Sequence, residues 1–268
     1  MTTLDRIITL TSDFGTDSPY VAQMKAAILQ VNPRANLIDI THAIPPQDIH
    51  QAAWVLVDGC HLFPPKTVHL VVVDPGVGSD RHLLAVMTND QYFVCPDNGL
   101  LTGLLADTET THIHRLEHPI YWRRDPSNTF HGRDIMGPVA AHLSLGVGIE
   151  QLGPPLETYR RIAWPQPRVI DCEIRGTVQS IDAFGNLITE IPAALLQEVM
   201  GGVAITVEVA GQQIQSLARH YAQSEVGATV ALIGSHGRLE VAVVGGHAAR
   251  SLETQVGAEV RVHRQKCP

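Results

Sequence analysis

The segment "TVHLVVVDPGVG", residues 67–78, carries the strongest strand signal in the chain. Its apolar, mostly β-branched residues run without polar alternation, which is typical of a strand covered on both faces of a sheet. The run ends in an aspartate followed by a proline and two glycines, so a tight turn follows the strand. In open α/β sheets, ligands bind beyond the carboxyl ends of such strands. Asp74 therefore stands where a ligand site is expected.

Strand-like and helix-like segments alternate on both sides of this run. Strands are predicted for "RIITLTSDFG" (6–15), "ANLIDIT" (35–41), "HLLAVMT" (82–88) and "YFVCP" (92–96), the last two pairing across a turn. Helices are predicted for "SPYVAQMKAAILQVNP" (18–33), with Ser18 as N-cap and Pro19 at the first helical position, for "DIHQAAWVLVDGCHLF" (48–63) and for "NGLLTGLLA" (98–106). This alternation predicts an α/β fold with a mostly parallel, layered sheet.

The second part of the chain has a different pattern. The segment "RRIAWPQPRVI" (160–170) contains two prolines and predicts a linker, residues 163–167, between domains of residues 1–162 and 168–268. Short alternating segments then follow at regular spacing: "VAITVEV" (203–209), "ATVALIG" (228–234), "RLEVAVV" (238–244) and "AEVRVHR" (258–264). They predict a smaller, antiparallel, β-barrel-like domain.

Composition excludes several classes of protein. The 268 residues carry a formal net charge of −8, so no global basic field is available to attract nucleic acid or an anionic membrane. No stretch approaches the roughly 20 apolar residues of a membrane helix. The 4 cysteines and 14 histidines are scattered without metal-ligand spacing, which predicts no metal site and reduced thiols. Since no basic region precedes a long apolar run at the start, we expect a cytoplasmic protein.

Polar residues that carry chemistry lie at three places. Asp13 follows the first strand, where an Asx turn or a helix cap would also explain it. Asp74 and Arg81 bracket a glycine turn, either as a simple staple or as a functional pair. His131, in "NTFHGRD" (128–134), precedes an apolar helical pattern and is either a packed structural residue or half of a catalytic pair. No phosphate-binding glycine motif and no GxSxG serine are present.

Six motifs in a fixed order narrow these alternatives: "TLTSDFG", "VDPGVGSDR", "PDNGLLT", "TFHGRD", "SIDAFGNL" and "GSHGRLEVAV". In this order they resemble the family of S-adenosylmethionine (SAM) hydroxide adenosyltransferases, the adenosine-forming SAM hydrolases. Fluorinases and chlorinases, which make 5′-halo-5′-deoxyadenosine, are relatives of that family. The resemblance extends from about residue 6 to residue 262.

The resemblance implies a fold, an assembly and a reaction. The family joins an N-terminal α/β domain to a C-terminal β-barrel-like domain and forms a homotrimer that binds SAM at subunit interfaces. It implies hydrolysis of SAM to adenosine and L-methionine by an activated water at C5′, with no cofactor because SAM is the substrate. The family's catalytic Asp-Arg-His set falls on Asp74, Arg81 and His131.

The resemblance also assigns the substrate contacts. Asp13 matches the carboxylate that binds the ribose hydroxyls, and Thr129 and Phe130 match residues near the reacting carbon and the base. In the second domain, the methionine end matches Asp182 and Ser235, and adenine matches Phe184 and Asn186.

Two other functions remain as alternatives. A halogenase is one, but those relatives carry an aromatic residue at the position of Asp74 and use a serine where this chain has Gly132. A non-catalytic SAM or adenosine sensor is the other, although a sensor needs no water-activating set. The chain also departs from the halogenases at Gln47, where they place a tryptophan, and at His236, where they place an arginine near the methionine carboxylate. Val243 replaces a residue that is often polar.

Overall fold

The computed structural model describes residues 7–106, 108 and 111–264. The chain divides into two compact units, Met1–Ala163 and Trp164–Pro268. Each unit has its own buried apolar core. No helix in the described residues has the length and apolar character that crossing a membrane requires.

The N-terminal unit contains a six-stranded mixed sheet in the order β2-β1-β3-β5-β4-β6. Its strands are β1 (Ile7–Ser12), β2 (Asn36–Thr41), β3 (Val68–Val72), β4 (Leu83–Thr88), β5 (Gln91–Pro96) and β6 (Thr111–Arg115). The first four strands in that order pair in parallel, whereas β4 is antiparallel to both of its neighbours. The predicted α/β layered fold is confirmed, with the β4–β5 hairpin at the antiparallel side.

Helices cover both faces of this sheet. They are α1 (Tyr20–Val31), α2 (Ile49–Gly59) and α3 (Gly137–Ser144), and α3 continues a π-helical segment, Gly132–Met136. Alternate residues of β3 enter two different cores, one shared with α1 and α3 and the other with α2. All five residues of β3 are buried, as its apolar run predicts. Short 3₁₀ turns occur at Pro119–Tyr121 and Ile149–Gln151.

Two local predictions in this unit were wrong. Ser18 does not cap α1: the N-cap is Pro19, and the Ser18 hydroxyl instead donates to the carbonyl of Phe14 at 3.4 Å. Residues 98–106 form successive turns and not a helix. Gly99 explains the second error, because its φ of +106° interrupts helical geometry and a Cβ there would lie 2.5 Å from Ile162 Cγ2.

The C-terminal unit is an antiparallel, nearly closed barrel. Its strands are β7 (Arg168–Ile170), β8 (Glu173–Ile181), β9 (Leu187–Pro192), β10 (Ile205–Val209), β11 (Gln212–Gln215), β12 (Thr229–Ile233), β13 (Arg238–Val243) and β14 (Glu259–Arg264). They follow the order β11-β10-β14-β8-β9-β13-β12, with β7 on β8. A bridge between Ala218 and Leu232 brings the chain after β11 back to β12. The helices are α4 (Ala193–Met200) and α5 (Ala248–Ser251), with a 3₁₀ turn at Tyr221–Gln223.

Candidate active site

A cleft of about 230 Å³ opens beyond the ends of β1 and β3 in the N-terminal unit. Because these strands are parallel neighbours, their carboxyl ends meet at one edge of the sheet. The cleft is lined by Asp13, Phe14, Gln47, Val72, Asp74, Pro75, Val77, Thr129, Phe130, His131 and Gly132. Five predicted site residues, from three segments that lie far apart in sequence, therefore share one cavity.

Asp74 and Arg81 form a buried ion pair at the two ends of the glycine turn. Arg81 Nε donates to Asp74 Oδ1 at 2.9 Å, and Arg81 Nη2 donates to Asp74 Oδ2. Both side chains are only 5% exposed. Gly78 makes the turn possible, because its φ is +81° and a Cβ there would lie 2.6 Å from the carbonyl oxygen of Asn128. The ion pair is bidentate, and one of its two guanidinium nitrogens, Nη2, also contacts a third residue.

That nitrogen binds His131. Arg81 Nη2 lies 2.9 Å from His131 Nδ1. A guanidinium only donates hydrogen bonds, so Nδ1 must be the acceptor and the proton of the neutral ring lies on Nε2. Burial and the charge of Arg81 lower the pKa of His131, and the carboxylates of Asp74 and Asp134 only partly oppose them. The histidine is therefore neutral at pH 7, with an N–H at Nε2.

Asp134 holds the loop that carries His131, and sequence reasoning did not identify this role. Its buried carboxylate accepts from the Ser127 backbone N–H at 2.9 Å, from Arg123 Nη1 at 2.8 Å and from Arg133 Nε at 2.7 Å. Burial raises the pKa of Asp134, but these donors outweigh it and the net shift is downward. An aspartate directly before the apolar helical run was the available signal.

Aromatic packing fixes the next part of the wall. The Phe130 ring makes edge contacts with Phe14 and with Tyr20, each with 5.4 Å between ring centroids. The Arg133 guanidinium lies 4.9 Å from the Phe130 centroid. Thr129 is exposed, and its hydroxyl lies 3.1 Å from that of Ser127. Residues 129–131, directly before the π-helical segment, thus present a hydroxyl, an aromatic ring and an imidazole in succession.

Asp13 lies at the end of β1, where the sequence predicts it. Its Oδ2 accepts a hydrogen bond from the Gln47 backbone N–H at 2.8 Å. Gln47 has a φ of +66°, an unusual value for a residue with a side chain. The loop between β2 and α2 therefore binds the carboxylate directly.

Three of the predicted substrate contacts lie at the β8–β9 hairpin of the C-terminal unit. Asp182 Oδ1 accepts from the backbone N–H groups of Phe184 and Asn186, at 2.9 and 2.8 Å, and its Oδ2 accepts from Asn186 Nδ2 at 2.9 Å. Phe184 is 77% exposed. Gly185 has a φ of +88°, whereas Asn186 does not adopt a positive φ. Its side chain closes the turn instead.

Ser235 lies in the exposed loop between β12 and β13, where Gly237 has a φ of +72°. A buried carboxylate that sequence reasoning missed stands beside this loop. Glu240 is 3% exposed, accepts from the Tyr221 hydroxyl, and lies 3.5 Å from His236 Nε2. Burial and the Glu240 carboxylate raise the pKa of Tyr221. The only sequence signal for Glu240 was its position as a carboxylate within the otherwise apolar segment 239–243.

No group of three or more His, Cys, Asp or Glu side chains suited to a metal ion occurs within the described ranges. The cleft contains instead a carboxylate and an imidazole, Asp74 and His131, that are joined through the guanidinium of Arg81, and a second carboxylate, Asp13. Such a set can orient a water molecule and receive a proton from it.

Comparisons with known proteins agree with the motifs. Residues 8–153 match the SAM hydroxide adenosyltransferase N-terminal domain, and residues 176–261 match the C-terminal domain. A protein from Thermus thermophilus named (R)-S-adenosyl-L-methionine hydrolase is 39% identical over 94% of this chain and 97% of its own length. One of the same name from Salinispora arenicola is 34% identical over 95% of this chain and 97% of its own.

A more distant sequence relative and a solved structure are also similar to this chain. A fluorinase from Nocardia brasiliensis is 26% identical over 96% of each chain. The crystal structure of an uncharacterized conserved protein from Thermotoga maritima has a TM-score of 0.91 and 38% identity, covering 96% of this chain and all of the other. The family predicted from the six motifs is thus confirmed: the chain belongs to the SAM hydroxide adenosyltransferase family.

Proposed function

We propose that this protein hydrolyses SAM to adenosine and L-methionine. The observation that carries the proposal is that Asp74 and His131, which both line the cleft, are joined by hydrogen bonds through Arg81. The relatives named as hydrolases cover nearly the whole chain, which supports the same reaction.

The chemistry needs little besides a positioned water. The sulfonium of SAM leaves as a neutral thioether, so no metal, cofactor or covalent nucleophile is required. A water oxygen forms the new bond to C5′ as the C5′–S bond breaks and its electron pair stays on sulfur. The water loses one proton, which passes to a protein base and then to solvent. Alignment of the water with the breaking bond supplies much of the rate.

The three catalytic residues divide this work. Because Nδ1 of His131 accepts from Arg81, the ring offers Nε2–H as a donor to the water oxygen. The proton of the water then passes to the Asp74 carboxylate. Arg81 orients that carboxylate through two hydrogen bonds, and the negative charge of Asp74 favours a cationic substrate.

The remaining residues bind the substrate. Asp13 accepts from the ribose hydroxyls, and Thr129 and Phe130 line the pocket beside the reacting carbon and the base. Asp182 and Ser235 bind the methionine end, with adenine against Phe184 and Asn186. No additional cofactor takes part.

Halogenation fits the cleft less well. A carboxylate at position 74 would repel a halide next to C5′. The halogenase serine also has no room, since a Cβ at Gly132 would lie 2.8 Å from Val72 Cγ1. The fluorinase relatives are also less similar in sequence than the hydrolases.

We further propose that the protein is a cytoplasmic homotrimer whose active sites lie at subunit interfaces. The exposed Phe184 ring supports this, because an aromatic contact to adenine needs a covered surface. A catalytically active monomer in light scattering would contradict the trimer.

The configuration at sulfur is open to direct comparison. The similar hydrolases are named for the (R) epimer of SAM. We propose that this chain likewise prefers the (R) epimer.

Product analysis tests the reaction. Purified protein is incubated with each SAM epimer in ¹⁸O-water, with and without chloride, and products are identified by liquid chromatography and mass spectrometry. Adenosine with ¹⁸O at C5′ together with methionine supports hydrolysis. A 5′-chloro product would indicate a halogenase, and bound nucleoside without turnover would indicate a sensor.

A further inference from the structure

The loop between β2 and α2 contacts the segment that carries Asp13, residues 12–15 (the Asp13 loop), at three points. Ser12 Oγ lies 2.7 Å from His42 Nδ1. The Gly15 backbone N–H donates to the His42 carbonyl at 2.9 Å. The Gln47 backbone N–H donates to Asp13 Oδ2 at 2.8 Å. Two residues of one loop thus hold both flanks of Asp13 and the carboxylate itself.

The side chains of Asp39, His42 and Ser12 form a chain of contacts. Asp39 Oδ1 lies 3.1 Å from His42 Nε2. The His42 ring thus lies between the Asp39 carboxylate and the Ser12 hydroxyl and contacts each through a different nitrogen. The Ser12 oxygen in turn accepts from the Phe14 backbone N–H at 3.3 Å. The chain therefore begins at a carboxylate outside the cleft and ends on the backbone next to Asp13.

Lys25 anchors the outer end of this chain, because its Nζ donates to Asp39 Oδ2 at 2.6 Å. Burial raises the pKa of Asp39, but the hydrogen bonds and charges of Lys25 and His42 outweigh it, so the net shift is downward. The carboxylate is thus ionised at neutral pH and lies as a fixed negative charge beside the His42 ring.

The order serine, histidine and aspartate resembles a hydrolytic triad, but Ser12 is not a nucleophile. Its side chain is fully buried and His42 is 7% exposed, so no substrate reaches the hydroxyl. The hydroxyl oxygen is also occupied by the Phe14 N–H. The chain therefore acts on geometry and not on a bond of the substrate.

The backbone conformation of Gln47 is an independent indication that this loop positions Asp13. Gln47 adopts a φ of +66°, which is strained for a residue with a side chain, and in that conformation its N–H reaches Asp13. Strain of this kind persists only where the surroundings impose it. Here His42 and Gln47 belong to the same loop, and that loop contacts the Asp13 loop from its backbone to its carboxylate.

We infer that His42 is a positioning residue that fixes the Asp13 carboxylate for the two hydroxyls of a ribose, through Ser12. The inference rests on the proposed function for the identity of the ligand. Without the His42 ring, the Asp13 loop loses its buried support and the diol is bound more weakly. The reacting centre at Asp74, Arg81 and His131 keeps its own contacts and its rate.

Two substitutions at one position separate the bonds of the ring. His42→Asn places an amide oxygen near the position of Nδ1 and keeps an acceptor for Ser12. His42→Gln places its amide near Nε2 and keeps only the contact with Asp39. We expect His42→Gln to raise KM for SAM and Kd for adenosine about tenfold with kcat within about twofold, and His42→Asn to remain near wild type. Ser12→Ala removes the same hydroxyl bond and serves where His42→Gln folds poorly.

A double-mutant cycle with Asp13→Asn makes the test specific. If His42 acts through Asp13, His42→Gln has no further effect on adenosine Kd in the Asp13→Asn protein. Additive effects, an unchanged Kd in His42→Gln and Ser12→Ala, or a loss of kcat at constant KM would overturn the inference. Adenosine Kd, measured by calorimetry, does not require turnover, so failure of the wild-type protein to hydrolyse SAM is a separate result.

Discussion

The Asp74–Arg81–His131 chain and the β8–β9 hairpin tip differ in what their polar groups bind. In the first region the carboxylate and guanidinium are each 5% exposed and bind one another, and the guanidinium also binds the imidazole. In the second region Asp182 binds the backbone of its own turn, and Phe184 beside it is 77% exposed. The charged groups of the first region are paired with one another, whereas the second region is a hydrogen-bonded turn that carries an exposed aromatic ring.

This difference suggests a division between chemistry and recognition. Groups that handle a proton must be held before the substrate arrives, since misplacement directly lowers the rate. A ring that stacks on a base gains its contacts only when the base is present. Changes in the first region should therefore alter kcat, and changes in the second should alter KM.

The largest effect is expected from Arg81→Met. It removes the partner of a buried carboxylate and the donor to His131, so kcat should fall by on the order of 10³-fold. Arg81→Lys is the matched control, because it keeps the charge without the bidentate geometry, and should fall less. Steady-state kinetics on folded protein measures both. Arg81→Lys at the wild-type rate would show that the bidentate geometry is unimportant, and Arg81→Met at the wild-type rate would contradict any role of Arg81.

The pH profile sharpens the same region. Burial and the charge of Arg81 lower the pKa of His131 from its usual value of 6.5, so the neutral ring predominates at neutral pH and above. As pH falls through the lowered pKa, a proton on Nδ1 displaces the Arg81 donor, and kcat should fall up to about tenfold per pH unit. The profile should level off as the pH rises above 7.

His142 provides the control for that profile, because burial lowers its pKa as well but it lies on α3 away from the cleft lining. His142→Gln should leave the profile unchanged. A wild-type acid limb centred above pH 6.5 would contradict a neutral, Arg81-bonded His131.

Phe184→Ala tests the hairpin. Base–aromatic stacking contributes about 1–3 kcal/mol, so KM for SAM should rise about tenfold while kcat stays within about twofold. Phe184→Tyr keeps the ring and is the control. A selective loss of kcat would break the division between the two regions.

The last prediction concerns the stability of the hairpin turn. Gly185 and Gly257 both have a φ of +88°, but a Cβ at Gly185 would lie 2.1 Å from the His247 ring while Gly257 has open space. Both changes to alanine carry the left-handed backbone cost of about 1–2 kcal/mol, and Gly185→Ala adds about 1–3 kcal/mol of overpacking. Denaturant titration of each variant measures the difference. Equal losses would show that the turn is not fixed by His247.

Local signals in the sequence predicted most of the architecture. The apolar run of β3 indicated a strand buried on both faces, and the alternation after the linker indicated an antiparallel barrel. Local signals failed where a distant contact decides the outcome. Residues 98–106 have a helical apolar pattern, but Gly99 packs against Ile162 in a conformation closed to helices.

The same limit applies to the site. Asp13, Asp74 and His131 were predictable because each follows a strand or precedes a helix in a motif of the family. Their supports were not, because these are long-range partners. His42 contacts Ser12 across 30 positions, and Asp134 binds Arg123 across 11. Sequence order gives no periodic signal for such pairs.

The most direct test of the central claim is the single-turnover rate of adenosine formation in ¹⁸O-water by wild type, His131→Asn and Asp74→Asn at saturating SAM. We predict that His131→Asn binds SAM within about threefold of wild type, that Asp74→Asn binds it more weakly because a negative charge is lost, and that both form labelled adenosine at saturating SAM at rates lower by on the order of 10²–10⁴-fold. Variants that bind SAM normally and turn it over at the wild-type rate would show that this set of residues does not activate the water.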